Sequence, residues 1–176
     1  MLQIIKALWT QPQATFQRKH DQVHTAYCEP KPAPLPVIMV GAFKPKMLRL
    51  TARYADWWNV SSTGPETYRQ MTKSFAELCA EVGRDPAQVR RSWCGGCACA
   101  PTEAEAKRLA GDRFSADSEE DFGFVGTPQQ IVAQMRSFID LGVDYFMVDC
   151  TGFPKLTTLE LLIHEVLPAL NDTGKR

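Results

Sequence analysis

The stretch PVIMVGAFKPKMLRLTARYADWWNVSS, Pro36 to Ser62, holds one complete βα unit and the start of the next. Val37, Ile38, Met39 and Val40 form a continuous apolar run, the pattern of a parallel strand buried on both faces. Gly41 ends the run, and a short loop, Ala42 to Pro45, leads into a helix from about Lys46 to Ala55. Leu48, Ala52 and Ala55 share one face of that helix. Asp56 closes it, and Trp57-Trp58-Asn59-Val60 opens another strand. A strand that ends in glycine and feeds a helix presents unpaired backbone N–H groups to an anion. The same residues also make an ordinary glycine turn, and a single glycine does not separate the two readings.

Composition narrows the class. The chain has 176 residues, enough for one well-cored domain, and is 44% hydrophobic and 23% charged. Twenty basic and twenty acidic residues cancel, so no electrostatic footprint points to nucleic acid or to an anionic membrane as partner. No apolar run approaches the length of a membrane span. The N-terminal MLQIIKALWT is amphipathic, without a basic n-region or a small-residue cleavage site, so no export signal is expected. With six cysteines and no such signal, reduced thiols and a cytoplasmic location are the expectation.

Upstream of the opening stretch, Leu2, Ile5, Leu8 and Trp9 fall at helical spacing, but no cap precedes them. Residues 14–36 read as irregular, with Pro30, Pro32, Pro34 and Pro36 forming a stiff connector of polyproline II character. His20 and His24 lie there and are expected on the surface. Downstream, Thr63-Gly64-Pro65-Glu66 reads as a capping box for a helix that turns Tyr68, Met71, Phe75, Leu78 and Val82 inward and ends at Gly83. A strand from about Val89 to Ala100 follows, then a short helix capped by Thr102-Glu103-Ala104-Glu105. Residues 111–125 are acidic and aperiodic, the composition of a surface loop. Thr127, Pro128 and Gln130 start a helix with Ile131, Met135, Phe138 and Ile139 as its buried stripe. Val143 to Asp149 reads as a buried strand, and Thr157 to Glu160 caps a last helix with Leu159, Leu162, Ile163, Val166 and Leu170 inward, bent or ended at Pro168. The expected fold class is α/β: four parallel βα units, half of the eight in a TIM barrel.

Three stretches in this order, PVIMVG, LRLTARYADWWN and GTPQQIVAQMRSFIDLGVDYFMVD, resemble the C-terminal half of the luciferase-like monooxygenases. These are flavin- or deazaflavin (coenzyme F420)-dependent oxidoreductases built on a TIM barrel. The resemblance covers nearly the whole chain and implies strands five to eight of the barrel. Met1 then falls where the family's fourth helix is under way, which matches the uncapped start. On this reading residues 1–176 form one luciferase-like domain: a helix end and Pro-rich connector over 1–35, then four βα units over 36–176.

The resemblance gives the glycine turn a job. In the family, backbone amides after strand five, usually of a Gly-Gly pair, hold the cofactor phosphate, a role that falls here on Gly41, Ala42 and Phe43. Ala42 replaces the second glycine, Phe43 and Lys44 replace small residues, and Lys44 or Lys46 can compensate by charge. Asn59 and Ser61, ending the second strand, are placed to hydrogen-bond a cofactor ring or substrate, and Asp149 ends the last strand. Trp57 stands where the family usually has glycine, and Trp58 is expected in the core. The cofactor is FMN or F420, undecided, and the catalytic residues are unknown. Cys94, Cys97 and Cys99 have metal-like spacing, but no fourth ligand is near in sequence and the segment reads as a strand, so no metal site is assigned. Two functions remain: an oxidoreductase using reduced flavin with dioxygen or deazaflavin hydride transfer on a small-molecule substrate, or a non-catalytic half-barrel. The second needs a partner, either a second copy or a complementing N-terminal half, because its first and last strands have open edges.

Overall fold

The structure, a computed structural model, describes residues 2–18 and 21–171, so His20 lies outside the described residues. Backbone contacts divide the chain after Ile38 into two compact units. In the first, helix α1 (Leu2–Thr10) precedes two antiparallel strands, β1 (Ala14–Gln17) and β2 (Gln22–Ala26). Part of the segment expected to be irregular is therefore a hairpin. Ala14 pairs with Ala26 and Phe16 with Val23, and a bulge between Ala14 and Phe16 breaks the alternation that would have revealed it. Arg18 N–H donates to the Asp21 carbonyl at 2.9 Å to close the turn, and His24 is exposed. The Glu29–Pro30 and Ala33–Pro34 bonds are cis, in place of a continuous polyproline II run.

The second unit carries the parallel sheet. Its strands are β3 (Met39–Gly41), β4 (Trp57–Ser61), β5 (Arg90–Cys99), β6 (Phe124–Gly126) and β7 (Val143–Cys150). Helix α2 (Pro45–Tyr54) follows β3, α3 (Pro65–Glu81) follows β4, α4 (Glu103–Ala110) follows β5 and α5 (Pro128–Ile139) follows β6. β3 pairs with β4 and β4 with β5, both parallel, and β5 pairs with β7 on its other flank. β6 was not foreseen. Ser62 N–H donates to the Cys94 carbonyl, and Ala100 N–H to the Gly126 carbonyl, so β6 continues the flank of β5 that β4 vacates. Its three residues are all buried, as is Phe122 just before them. Three residues are too few to carry a period, and the acidic stretch around them hides the apolar ones.

The core is an aromatic layer between β4–β5 and the helices. Trp58 stacks on Phe75 at 4.5 Å and on Tyr68 at 5.7 Å, and Trp93 packs on Phe124 at 4.6 Å and Phe138 at 5.5 Å. Tyr68 meets Phe138 at 5.6 Å and joins the two groups. Each buried indole N–H has an acceptor: Trp58 donates to the Ala42 carbonyl at 2.9 Å, and Trp93 to that of Thr63 at 3.0 Å.

Several local expectations are corrected. β3 and β7 are not buried on both faces: Met39 and Tyr145 are exposed, because within the described chain no layer covers the sheet face opposite the helices. On α5 the stripe is Ile131, Val132, Met135 and Phe138, with Ile139 exposed. Beyond β7, α6 (Thr157–Leu161) widens into a π-helical turn, Leu162–Val166, before α7 (Leu167–Asn171). Pro168 has no N–H to continue the α ladder, and the Leu167 N–H reaches back to Leu162 instead. Leu162 and Val166 are buried as expected, together with Thr158, while Leu159 and Ile163 are exposed.

Thr63 does not cap α3; its hydroxyl donates to the Ser61 carbonyl at 2.9 Å. The cap comes from Glu119, whose carboxylate accepts from Thr67 N–H at 2.8 Å and Glu66 N–H at 3.4 Å. Gly64 at the N-cap makes this possible, since a Cβ there would stand 2.6 Å from that carboxylate. Thr127 and Gln130 form the complete capping box expected on α5. On α4 the Thr102 hydroxyl accepts from Glu105 N–H and donates to the Glu105 carboxylate.

Two substitutions test these packing statements. Glu119→Ala removes a cap and is expected to lower the unfolding free energy by about 1 kcal/mol in urea titrations. The buried Tyr68 hydroxyl has no partner, so Tyr68→Phe is expected to leave stability unchanged or to raise it by about 1 kcal/mol; a loss larger than that contradicts the assignment.

Candidate functional site

All four long-range pairings of the sheet are parallel, so the C-terminal ends of β3, β4, β5 and β7 lie on one side. Pleating sends alternate side chains to opposite faces. Trp58 and Val60 enter the aromatic core, while Trp57, Asn59 and Ser61 point to the other face and stay half-buried. On that open face Trp57 meets Tyr145 edge-on at 4.9 Å, and the Arg90 guanidinium lies 4.4 Å from the Trp57 ring. Arg90 is held in place by Asp144 at 2.8 Å. This aromatic and cationic group sits at the N-terminal ends of the strands and closes that end of the face.

At the C-terminal ends, the turn from β3 to α2 is the anion-site candidate. Gly41 is exposed at the end of its strand. Ala42 is buried; its N–H donates to the Asn59 carbonyl at 3.2 Å and its carbonyl accepts from Trp58, so its amide is spent inside the sheet. Phe43, Lys44 and Lys46 are exposed, and within the described chain their N–H groups have no acceptor. Lys44 is the N-cap of α2 with no side-chain capping bond, and Pro45 occupies the first helical position. Phe43 is not among the described residues with positive φ, which are Thr25 and Ser62 besides glycines. The replacement of a small family residue by Phe43 thus carries no backbone strain.

The other predicted residues divide. Asn59 is turned towards β5: its Oδ1 accepts from the Ser92 hydroxyl at 3.0 Å and its Nδ2 lies 3.2 Å from Cys94 Sγ. Ser61 lines an open recess with Ser62, Cys94, Met147 and Asp149. Asn59 and Ser61 belong to one strand and one face, while Gly41 to Lys46 belong to the neighbouring turn. Ser62 escaped sequence reading: its φ of 47° places it in the left-handed region, and no residue-type pattern announces that at a serine.

Among the described residues, no cluster of three or more His, Cys, Asp or Glu side chains is arranged to hold a metal ion. Cys97 and Cys99 are fully buried in β5, and burial pushes both thiols up, Cys99 to about 11, so both stay protonated at neutral pH.

A protein-family model described as luciferase-like monooxygenase matches residues 1–119. An F420-dependent glucose-6-phosphate dehydrogenase of Intrasporangium calvum is 24% identical over 196 residues, covering 95% of this chain and 58% of that protein. A phthiodiolone/phenolphthiodiolone dimycocerosates ketoreductase of Mycobacterium tuberculosis is 31% identical over 93 residues, 50% of this chain and 24% of that one. The structure of an F420-dependent secondary alcohol dehydrogenase with an F420-acetone adduct superposes with a TM-score of 0.81 at 17% identity, covering 96% of this chain and 59% of that one. The oxygenating constituent of 3,6-diketocamphane monooxygenase of Pseudomonas putida, in complex with FMN, gives 0.68 at 18% identity, covering 95% and 61%. At these identities the structural likeness shows the fold, a set of parallel βα units of a TIM barrel. The chain spans 58% of the glucose-6-phosphate dehydrogenase and 59% and 61% of the two solved structures, under two thirds of each. The match over residues 1–119 is more than half of the chain, and the chain belongs to the luciferase-like monooxygenase family.

Proposed function

We propose that this chain is the phosphate-binding part of a flavin- or F420-dependent oxidoreductase, and that the β3–α2 turn holds the cofactor phosphate. The observation that carries this reading is the set of unpartnered N–H groups of Phe43, Lys44 and Lys46 at a helix N-terminus, with two lysine side chains beside them. Backbone donors and a helix dipole favour a phosphate there, and the lysines add charge. The cofactor, FMN or F420, supplies the redox chemistry when bound. Ser61 and Ser62, at the end of β4, offer hydroxyls to a ring or substrate over the recess, while Asn59 positions β4 against β5. The reading extends to a small-molecule substrate and leaves monooxygenation and hydride transfer as its two chemistries.

Titration of the purified chain with FMN and, separately, with F420, followed by cofactor fluorescence, tests the site. A Cβ at Gly41 meets nothing within 4 Å, so Gly41→Asp has room for its Cβ and brings a negative charge to the turn. Saturable binding weakened about tenfold or more by that variant is the expected result, and binding indifferent to it refutes the placement.

A second reading rests on a separate observation: within the described chain β3 and β7 each have one sheet neighbour, and Met39 and Tyr145 are exposed on them. Such edges recruit another chain. A non-catalytic half-barrel completed by a second copy or by a complementing half-barrel follows from it. Light scattering after size exclusion is expected to give masses above 19.7 kDa, and a monodisperse species at 19.7 kDa contradicts self-association.

A further inference from the structure

The helices that follow the two outer strands share a feature that the interior of the sheet does not explain. α2 follows β3, and the helical run 157–171, made of α6, the π-helical turn and α7, follows β7. α2 packs against α3, and the run 157–171 packs against α5. On α2, Leu48 and Thr51 are buried. Arg49, one residue after Leu48, turns to α3, where it meets Glu81 at 2.6 Å. Met47 and Leu50 each come one residue before a buried one, so about 100° per residue puts them on the flank away from α3. Both are exposed.

The run 157–171 is arranged in the opposite sense. Leu159, Ile163 and Leu167 each come one residue after a buried one, Thr158, Leu162 and Val166, and all three are exposed. Glu165, one residue before Val166, lies on the α5 side, where it lines a recess with Val132 and Arg136. The two apolar stripes therefore look away from the body of the sheet, one at each of its open sides. A single exposed leucine is ordinary, but aligned stripes at both edges mark a surface built to be covered.

The two edges are also opposite in charge. α2 carries Lys46, Arg49 and Arg53 and no acidic residue, and Lys44 precedes it. β7 carries Asp144 and Asp149, and the run 157–171 carries Glu160 and Glu165, with no lysine or arginine in either. Unlike edges attract, whereas β7 set on β7 brings acid to acid.

We propose that a second copy of this chain closes the sheet, with β3 and α2 of each copy against β7 and the run 157–171 of the other. The two-fold axis runs parallel to the strands, so every strand stays parallel and both edges are used at once. Four strands from each copy make the eight of a closed parallel barrel. Met39, Trp57 and Tyr145 then fill its interior from both sides. The proposal rests on the second reading above, that the edges recruit another chain, and adds which chain and which edges meet.

Light scattering after size exclusion tests it, with a wild-type mass of twice 19.7 kDa expected. Leu50→Lys and Ile163→Glu, at positions exposed in the single chain, are each expected to raise the dissociation constant about tenfold or more while leaving the helical circular dichroism unchanged. An equimolar mixture of the two variants is expected to regain the dimer. One junction then sets lysine against glutamate, and the other keeps both native residues. A wild-type mass of 19.7 kDa overturns the proposal together with self-association and leaves the edges to a different chain. A dimer that survives both substitutions, or variants that do not recover on mixing, overturns the edge-to-edge pairing alone.

Discussion

The burial of Trp58 and Trp93 on the helix side of β4 and β5 is the constraint on which the rest of the unit depends. Both side chains are fully buried, and both indole N–H groups donate to backbone carbonyls at the C-terminal ends of strands. Trp58 holds the Ala42 carbonyl and so fixes the start of the β3–α2 turn; Trp93 holds Thr63 and fixes the start of α3. Two large apolar groups thus set the two turns next to the proposed cofactor site. Because pleating alternates, committing Trp58 and Val60 to the core commits Asn59 and Ser61 to the opposite face.

Much of this was legible in the sequence, and the reason is periodicity. The helix after Gly41 and the strands at Trp57, Val89 and Val143 are long enough for apolar patterns to speak, whereas the strand expected from Val37 is reduced to Met39–Gly41. The capping box at Thr127 is a purely local signal and forms as expected. The failures have a common cause in tertiary contact. Glu119 reaches α3 from 52 residues beyond Thr67, a distance at which no local pattern identifies it as a cap. β6 is a strand only because β5 outruns β4 and leaves an edge for it. The continuous apolar run at Val37 to Val40 suggested two-sided burial, but that requires a layer on each face, and within the described chain Ile38 and Val40 are covered while Val37 and Met39 are not.

The candidate site was legible in outline and blurred in detail. The sequence located a glycine-ended strand before a helix, and the residues from Gly41 to Lys46 do gather in one turn. It did not reveal which amides remain for a ligand. Ala42 spends its N–H on Asn59, moving the unpartnered donors to Phe43, Lys44 and Lys46.

On the proposed function, the aromatic layer makes β4 and β5 rigid while the turn beyond β3 is kept for a phosphate. Amide hydrogen exchange of the whole chain, with and without FMN or F420, tests both halves together. The expected result is slowest exchange along β4 and β5, faster exchange in β3 and β7, and slowing by cofactor at Phe43, Lys44 and Lys46. Cofactor protection confined to other segments, or β5 exchanging as fast as the edge strands, contradicts it.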